Sequence, residues 1–194
     1  MQTALMKRLI LGVGILATAF FLSCESPVTN ERERNELSFE QARHTLNGAL
    51  RPVQKKSVTD LAKTPSGGVL RDACNGVHVA VMYPERGGKI EHCGYAMIVP
   101  PGAIGETEKM YIEVVNGETI SADFGRDGEF KVPVTIRLPL NEADLKTTRA
   151  SDLTVAWWDK SSNSLIDIGG TVYPELGYIE AQTTHFTVYT LSTK

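Results

Sequence analysis

The sequence predicts an all-β protein, an antiparallel β-sandwich preceded by a signal peptide and a tether with one short helix. Apolar residues beyond Val69 recur at every second position, the period of a half-buried strand. Turn-forming glycines, prolines and asparagines separate these short runs. After residue 66 no stretch has the length and period of the crossover helix that a parallel sheet needs.

The leader comes first. Met6-Lys7-Arg8 precedes a mostly apolar stretch over 9–22, closed by Ser23-Cys24. A basic start, a short apolar core and a small residue before a cut site predict a secretory signal over 1–23. The stretch is shorter than the about 20 apolar residues a spanning helix needs. Phe21-Leu22-Ser23-Cys24 resembles the bacterial lipobox, which implies that Cys24 carries the lipid, since the thioether linkage needs a thiol. A single chain of about fourteen carbons holds a protein only marginally, so stable anchoring to the membrane takes several. Glu25 is not the aspartate associated with inner-membrane retention, so an outer-membrane location is expected.

Loss of residues 1–23 removes Lys7 and Arg8 and no acid, leaving 18 basic and 23 acidic side chains. That acidic balance predicts no nucleic-acid partner, which calls for a basic patch. The remaining 171 residues suit a tether over 24–66 and one domain over 67–194. Within the tether, a polar mixed-charge run at 30–36 precedes an expected short helix over 38–50. Ser38 and Gln41 form a capping-box pair, Phe39, Ala42, Leu46 and Leu50 share one face, and Pro52 ends the run.

The strand runs follow. Val77, Val79, Val81 and Tyr83 alternate with His78, Ala80 and Met82; Met110, Ile112 and Val114 alternate with Tyr111 and Glu113. Val132, Val134, Ile136 and Leu138 alternate with Lys131, Pro133, Thr135 and Arg137, and Pro133 there requires a sheet edge or a bulge. Leu153, Val155 and Trp157 alternate with Thr154, Ala156 and Trp158, so the two tryptophans face opposite ways and one belongs in the core. Shorter runs occupy 165–168, 178–182 and 186–191. Pro100-Pro101-Gly102 ends a strand at a corner, since proline gives no donor and glycine permits the turn.

With Cys24 assigned to lipid, Cys74 and Cys93 remain as an even pair in an oxidising compartment, and a disulfide between them is expected. Such a bridge adds about 3 kcal/mol. Zinc is the competing use, because His78 and His92 lie near the two cysteines. His92 and Cys93 are neighbours, however, and strand neighbours point to opposite faces, so they converge on one ion only across a turn. No metal and no cofactor is therefore expected.

Gly87-Gly88-Lys89-Ile90 and Gly94-Tyr95-Ala96-Met97-Ile98-Val99-Pro100-Pro101-Gly102-Ala103-Ile104 together resemble the signature of the ZU-five domain of zonula occludens proteins, netrin receptors and ankyrins. Val132-Pro133-Val134-Thr135-Ile136-Arg137-Leu138-Pro139 resembles that family's central strand, Trp157-Trp158-Asp159 its aromatic-aspartate strand, and Thr184-His185-Phe186-Thr187-Val188-Tyr189 its closing strand. The resemblance covers 87–191, in order. It implies a β-sandwich used for protein–protein contact or as a spacer.

Candidate chemistry is sparse. In some ZU-five domains the equivalent of His185-Phe186-Thr187 is a self-cleavage site. Thr187 would then be the nucleophile and His185 the general base, cutting at the 186–187 bond. The plainer expectation has Phe186 and Val188 in the core with His185 and Thr187 at the rim. Asp123-Phe124-Gly125-Arg126-Asp127-Gly128-Glu129 resembles a calcium loop but lacks its third and twelfth ligands, which predicts a polar turn instead. An outward tryptophan would offer a sugar platform. The sequence has no nucleophile elbow, phosphate-binding loop or metalloprotease helix. The expected function is non-catalytic: a lipid-anchored interaction or structural module whose partner is an unidentified envelope or extracellular protein.

Overall fold

The structure is a computed structural model, and it describes residues 50–57, 76–125 and 128–194. The leader, Cys24, Cys74 and all but the last residue of the expected 38–50 helix lie outside the described residues.

Twelve strands run in chain order: β1 Arg51–Pro52, β2 Val77–Met82, β3 Gly88–His92, β4 Tyr95–Val99, β5 Glu108–Val114, β6 Ser121–Gly125, β7 Glu129–Pro139, β8 Leu153–Asp159, β9 Ser164–Gly169, β10 Thr171–Tyr173, β11 Tyr178–His185 and β12 Val188–Thr193. They form two sheets, one ordered β2-β5-β6-β12-β8-β9 with β1 attached to β12, the other β10-β11-β7-β4-β3. Every ladder is antiparallel. The all-β sandwich is what alternation beyond Val69 demands: each strand offers one apolar face, and two such faces close over a shared interior.

That interior holds Met110, Ile112, Ile120, Ala122, Phe124, Val134, Ile136, Leu138, Val155, Ile179, Tyr189 and Leu191, all at 0% exposure. Burying each large aliphatic side chain contributes roughly 1.5–3 kcal/mol. Pro133 lies in β7, an inner strand, and is tolerated there by a bulge: the β11–β7 ladder passes from Val134 straight to Glu129. The same bulge carries Val132 out of the expected alternation and leaves it exposed.

Four expectations need correction. The tether does not run unbroken to residue 66, because residues 51–56 are built into the sandwich. β1 pairs with β12, Val53 is buried in the core, and Gln54 and Lys55 bridge to Thr119 and Ala143. Residues 121–125 are strand rather than polar turn, since Ala122 and Phe124 alternate into the core between two acid or glycine positions. β10 was not expected at all; it is a three-residue edge strand with too few positions to show a period. Finally β2 is reversed: Met82 points inward, whereas Val77, Val79, Val81 and Tyr83 are exposed. Periodicity fixes that alternate residues share a face, not which face is buried.

Candidate functional site

The closing motif sits where the chain crosses between sheets. His185 ends β11, and Phe186 and Thr187 turn the corner into β12. A hydrogen-bonded clasp sets that corner: Tyr189 Oη donates to the His185 carbonyl at 2.7 Å and shares a 2.6 Å hydrogen bond with Thr183 Oγ1. Burial pushes the Tyr189 phenol up to about 12, with the Thr183 bond opposing it. Phe186 packs edge-on against Phe130 at 4.5 Å and leans on Phe124 at 6.1 Å. The His185 ring meets the Trp157 face edge-on at 4.7 Å, and its Nε2 is buried with no partner among the described residues. That Nε2 atom therefore makes no hydrogen bond to the Thr187 hydroxyl. The crossing also resets the alternation, so the fully buried residue is Tyr189, while Val188 is half-buried.

The two tryptophans do face opposite ways. Trp157 packs against the main core, and Trp158 points to the other face of its sheet. That outward side is not open: Trp158 is 5% exposed and clusters with Ala156, Leu165 and Leu50. Around it lies a set of buried hydroxyls. Thr119 and Ser121 are joined at 2.9 Å, Ser121 donates to Thr190 at 2.9 Å, and Thr154 bonds Asp167. Trp158 thus offers no open ring face to a sugar, while Trp157 is partly buried against the core and the His185 ring.

At the other end of the same sheet the outward surface is aliphatic and exposed. Val79 is 54% exposed, with Val77, Val81 and Tyr83 in line beside it on β2. Among the described residues β2 pairs only with β5, and its second edge takes part in no ladder. Tyr111, opposite Val79, extends the apolar surface inward and lies over Gly125, where an added Cβ would meet the ring at 1.8 Å. None of β2's six residues is Lys, Pro or acidic, the residue types that usually blunt an edge.

The inward side of that edge carries a second group. His78 of β2 stacks on His92 of β3 with centroids 5.9 Å apart and planes at 24°. The Cys93 sulfur lies 3.6 Å from His92 Nε2. Convergence of these neighbours was expected only across a turn, and a turn is what the structure has: Cys93, with φ 53°, and Gly94, with φ 82°, are the two central residues of the β3–β4 connection. Cys74 lies outside the described residues, so the expected bridge to it has no described geometry. Among the described residues, no three donors already surround one point.

The sequence singled out the His-Phe-Thr corner, Cys93 and the tryptophans. It missed the valine stripe as a surface, because an exposed alternation reads the same as a buried one. The lack of charge across β2 was the available signal. No family model matches the chain, and no curated protein matches it.

Proposed function

We propose that this chain is a non-catalytic interaction module of the cell envelope, held at the outer membrane by lipid on Cys24 and contacting a partner protein through β2. The observation that carries the reading is the exposed stripe Val77, Val79 and Val81, continued by Tyr83, on a strand with one edge unpaired among the described residues. Such an edge offers main-chain donors and acceptors to an extended segment, and alternate side chains give the contact its apolar area. The signal and lipobox-like start supply the anchor, and the ZU-five resemblance accords with protein–protein contact.

The test places a photo-crosslinking residue at Val79 in intact cells and follows palmitate labelling in parallel. A discrete adduct from position 79, absent from a crosslinker placed at the core-facing Met110, supports the reading; no adduct from 77, 79 or 81 sinks it. Cys24→Ser is expected to abolish labelling and release the protein from membranes. A denatured chain that ends at Phe186 would instead favour self-cleavage, and Thr187→Ala is the control.

A further inference from the structure

We propose that the partner of β2 is a second copy of this chain: two β2 strands pair antiparallel about a twofold axis at Val79, joining the larger sheets of two molecules into one. The inference rests on the reading of β2 as the contact strand and names what that strand meets. A twofold contact has to be self-complementary, because each surface meets its own likeness reversed. The strand meets that condition. Val77-His78-Val79-Ala80-Val81 is a palindrome in its valines. Centred on Val79, an antiparallel pair sets Val77 opposite Val81 of the second copy and Val79 opposite its own equivalent.

Directly opposed β-branched side chains are a favourable cross-strand contact, and these three valines are 44–54% exposed in the single chain. On the reverse face, His78 comes opposite Ala80, so the bulkier side chain there meets the smaller one. β2 carries no charged residue, so the pairing brings no like charges together.

The neighbouring strand supplies charge complementarity. β5 sets Glu113 beside Val77, Tyr111 beside Val79 and Lys109 beside Val81, on the same face as the valines. The second copy runs the other way, so an outer row across the dimer reads Glu113, Val77, Val81, Lys109. The middle row reads Tyr111, Val79, Val79, Tyr111. Each outer row therefore ends on opposite charges. Their backbones are about 14 Å apart, three strand spacings, so these charges choose the orientation more than they supply affinity. Affinity comes from the valines and on the order of four main-chain hydrogen bonds. Five residues a side make a small contact, and confinement of both copies to one membrane raises their effective concentration.

The experiment is disulfide trapping of the full chain in its own membranes, with the wild type, which keeps the native cysteines, as background. Directly opposed Cα atoms in an antiparallel pair are about 4.5 or 5.5 Å apart, and a disulfide spans either. Val79→Cys is expected to give a linked dimer under mild oxidation. Val81→Cys alone should give about tenfold less or lower, because its own equivalent is four positions out of register. Val77→Cys combined with Val81→Cys should restore it. Ile166→Cys, exposed on the opposite edge strand of the same sheet, should stay at background. The proposal is overturned if Val79→Cys yields no dimer above wild type, or if Val81→Cys or Ile166→Cys links as well as Val79→Cys does. The photo-crosslinker at position 79 separates this inference from the reading beneath it. An adduct of two chains, carrying both tags when two tagged forms are co-expressed, supports the second copy. An adduct with a different protein alone keeps β2 as the contact strand and removes the dimer; a crosslink confined to one chain removes both.

Discussion

One face of the seven-stranded sheet has two unlike halves. Over β6, β12 and β8 it buries hydroxyls, Ser121, Thr154, Thr190 and Ser192, beside a single large apolar group, Trp158. Over β2 it exposes a row of valines. The usual ordering of polar outside and apolar inside is inverted across a few strands of one surface. The difference lies in what each half meets. Ser121 and Thr190 satisfy one another and the Ile120 carbonyl, and Thr154 donates to Asp167, so these three tolerate being covered; Ser192 Oγ is buried with no partner among the described residues. The valines have no such need for water and are 44–54% exposed among the described residues, a combination that marks a contact surface rather than a solvated one.

The largest effect is expected at the covered half. Trp158→Ala removes the group that fills the space between Ala156, Leu165 and Leu50 and should cost about 3–5 kcal/mol in urea unfolding. A loss under 1 kcal/mol would mean that this cluster contributes little beyond contact. Next, Thr190→Val keeps the shape but strips Ser121 of its buried acceptor, with an expected loss of about 1–3 kcal/mol. A neutral result would show that Ser121 finds another partner and that the two halves differ less than their hydrogen bonds suggest.

At the open half the pattern should reverse. Val79→Lys is expected to change stability by no more than about 0.5 kcal/mol, since the side chain is exposed. The same change should abolish crosslinking from position 81, because a lysine on an edge strand opposes pairing. A strong destabilisation would place Val79 in the fold rather than the surface.

The smallest effect concerns the β8–β9 turn, which belongs to neither half. Hydrogen bonds from Ser162 first, then Ser161, hold the exposed Asp159 carboxyl at about 2, below its ordinary 3.8. A depressed carboxyl contributes fully above its unfolded value and ceases to contribute as pH falls through about 2. A carboxyl NMR titration should find that midpoint, and Ser162→Ala should move it upward.

Much of the architecture was legible because β5, the inner part of β7 and β8 bury the residues their alternation names: Ile112, Ile136 and Val155 are fully enclosed. The bulge at Pro133 was legible too, since an inner strand cannot otherwise spare a donor. What stayed hidden was orientation at an edge. Val77 to Tyr83 carry as clean a period as Met110 to Val114, yet only the second set faces the interior, and no local property of a strand says where its sheet stops. The part played by residues 51–56 was equally hidden, because their pairing partners lie more than sixty residues away, at 118–119, 142–144 and 191–193. At the cysteine the sequence named a turn as the exception to strand logic but did not place it: the turn is Cys93-Gly94, and positive φ at a cysteine is uncommon.

The place of β12 has a consequence for biogenesis. The last strand of the sandwich to leave the ribosome is the one that β1, β6 and β8 all pair with. Until it emerges, the larger sheet has no middle, and its earlier strands form two separate pieces, β2-β5-β6 and β8-β9. Closure of the larger sheet is therefore a late, non-local step of folding, while the β10-β11-β7-β4-β3 sheet does not depend on it for its own pairing.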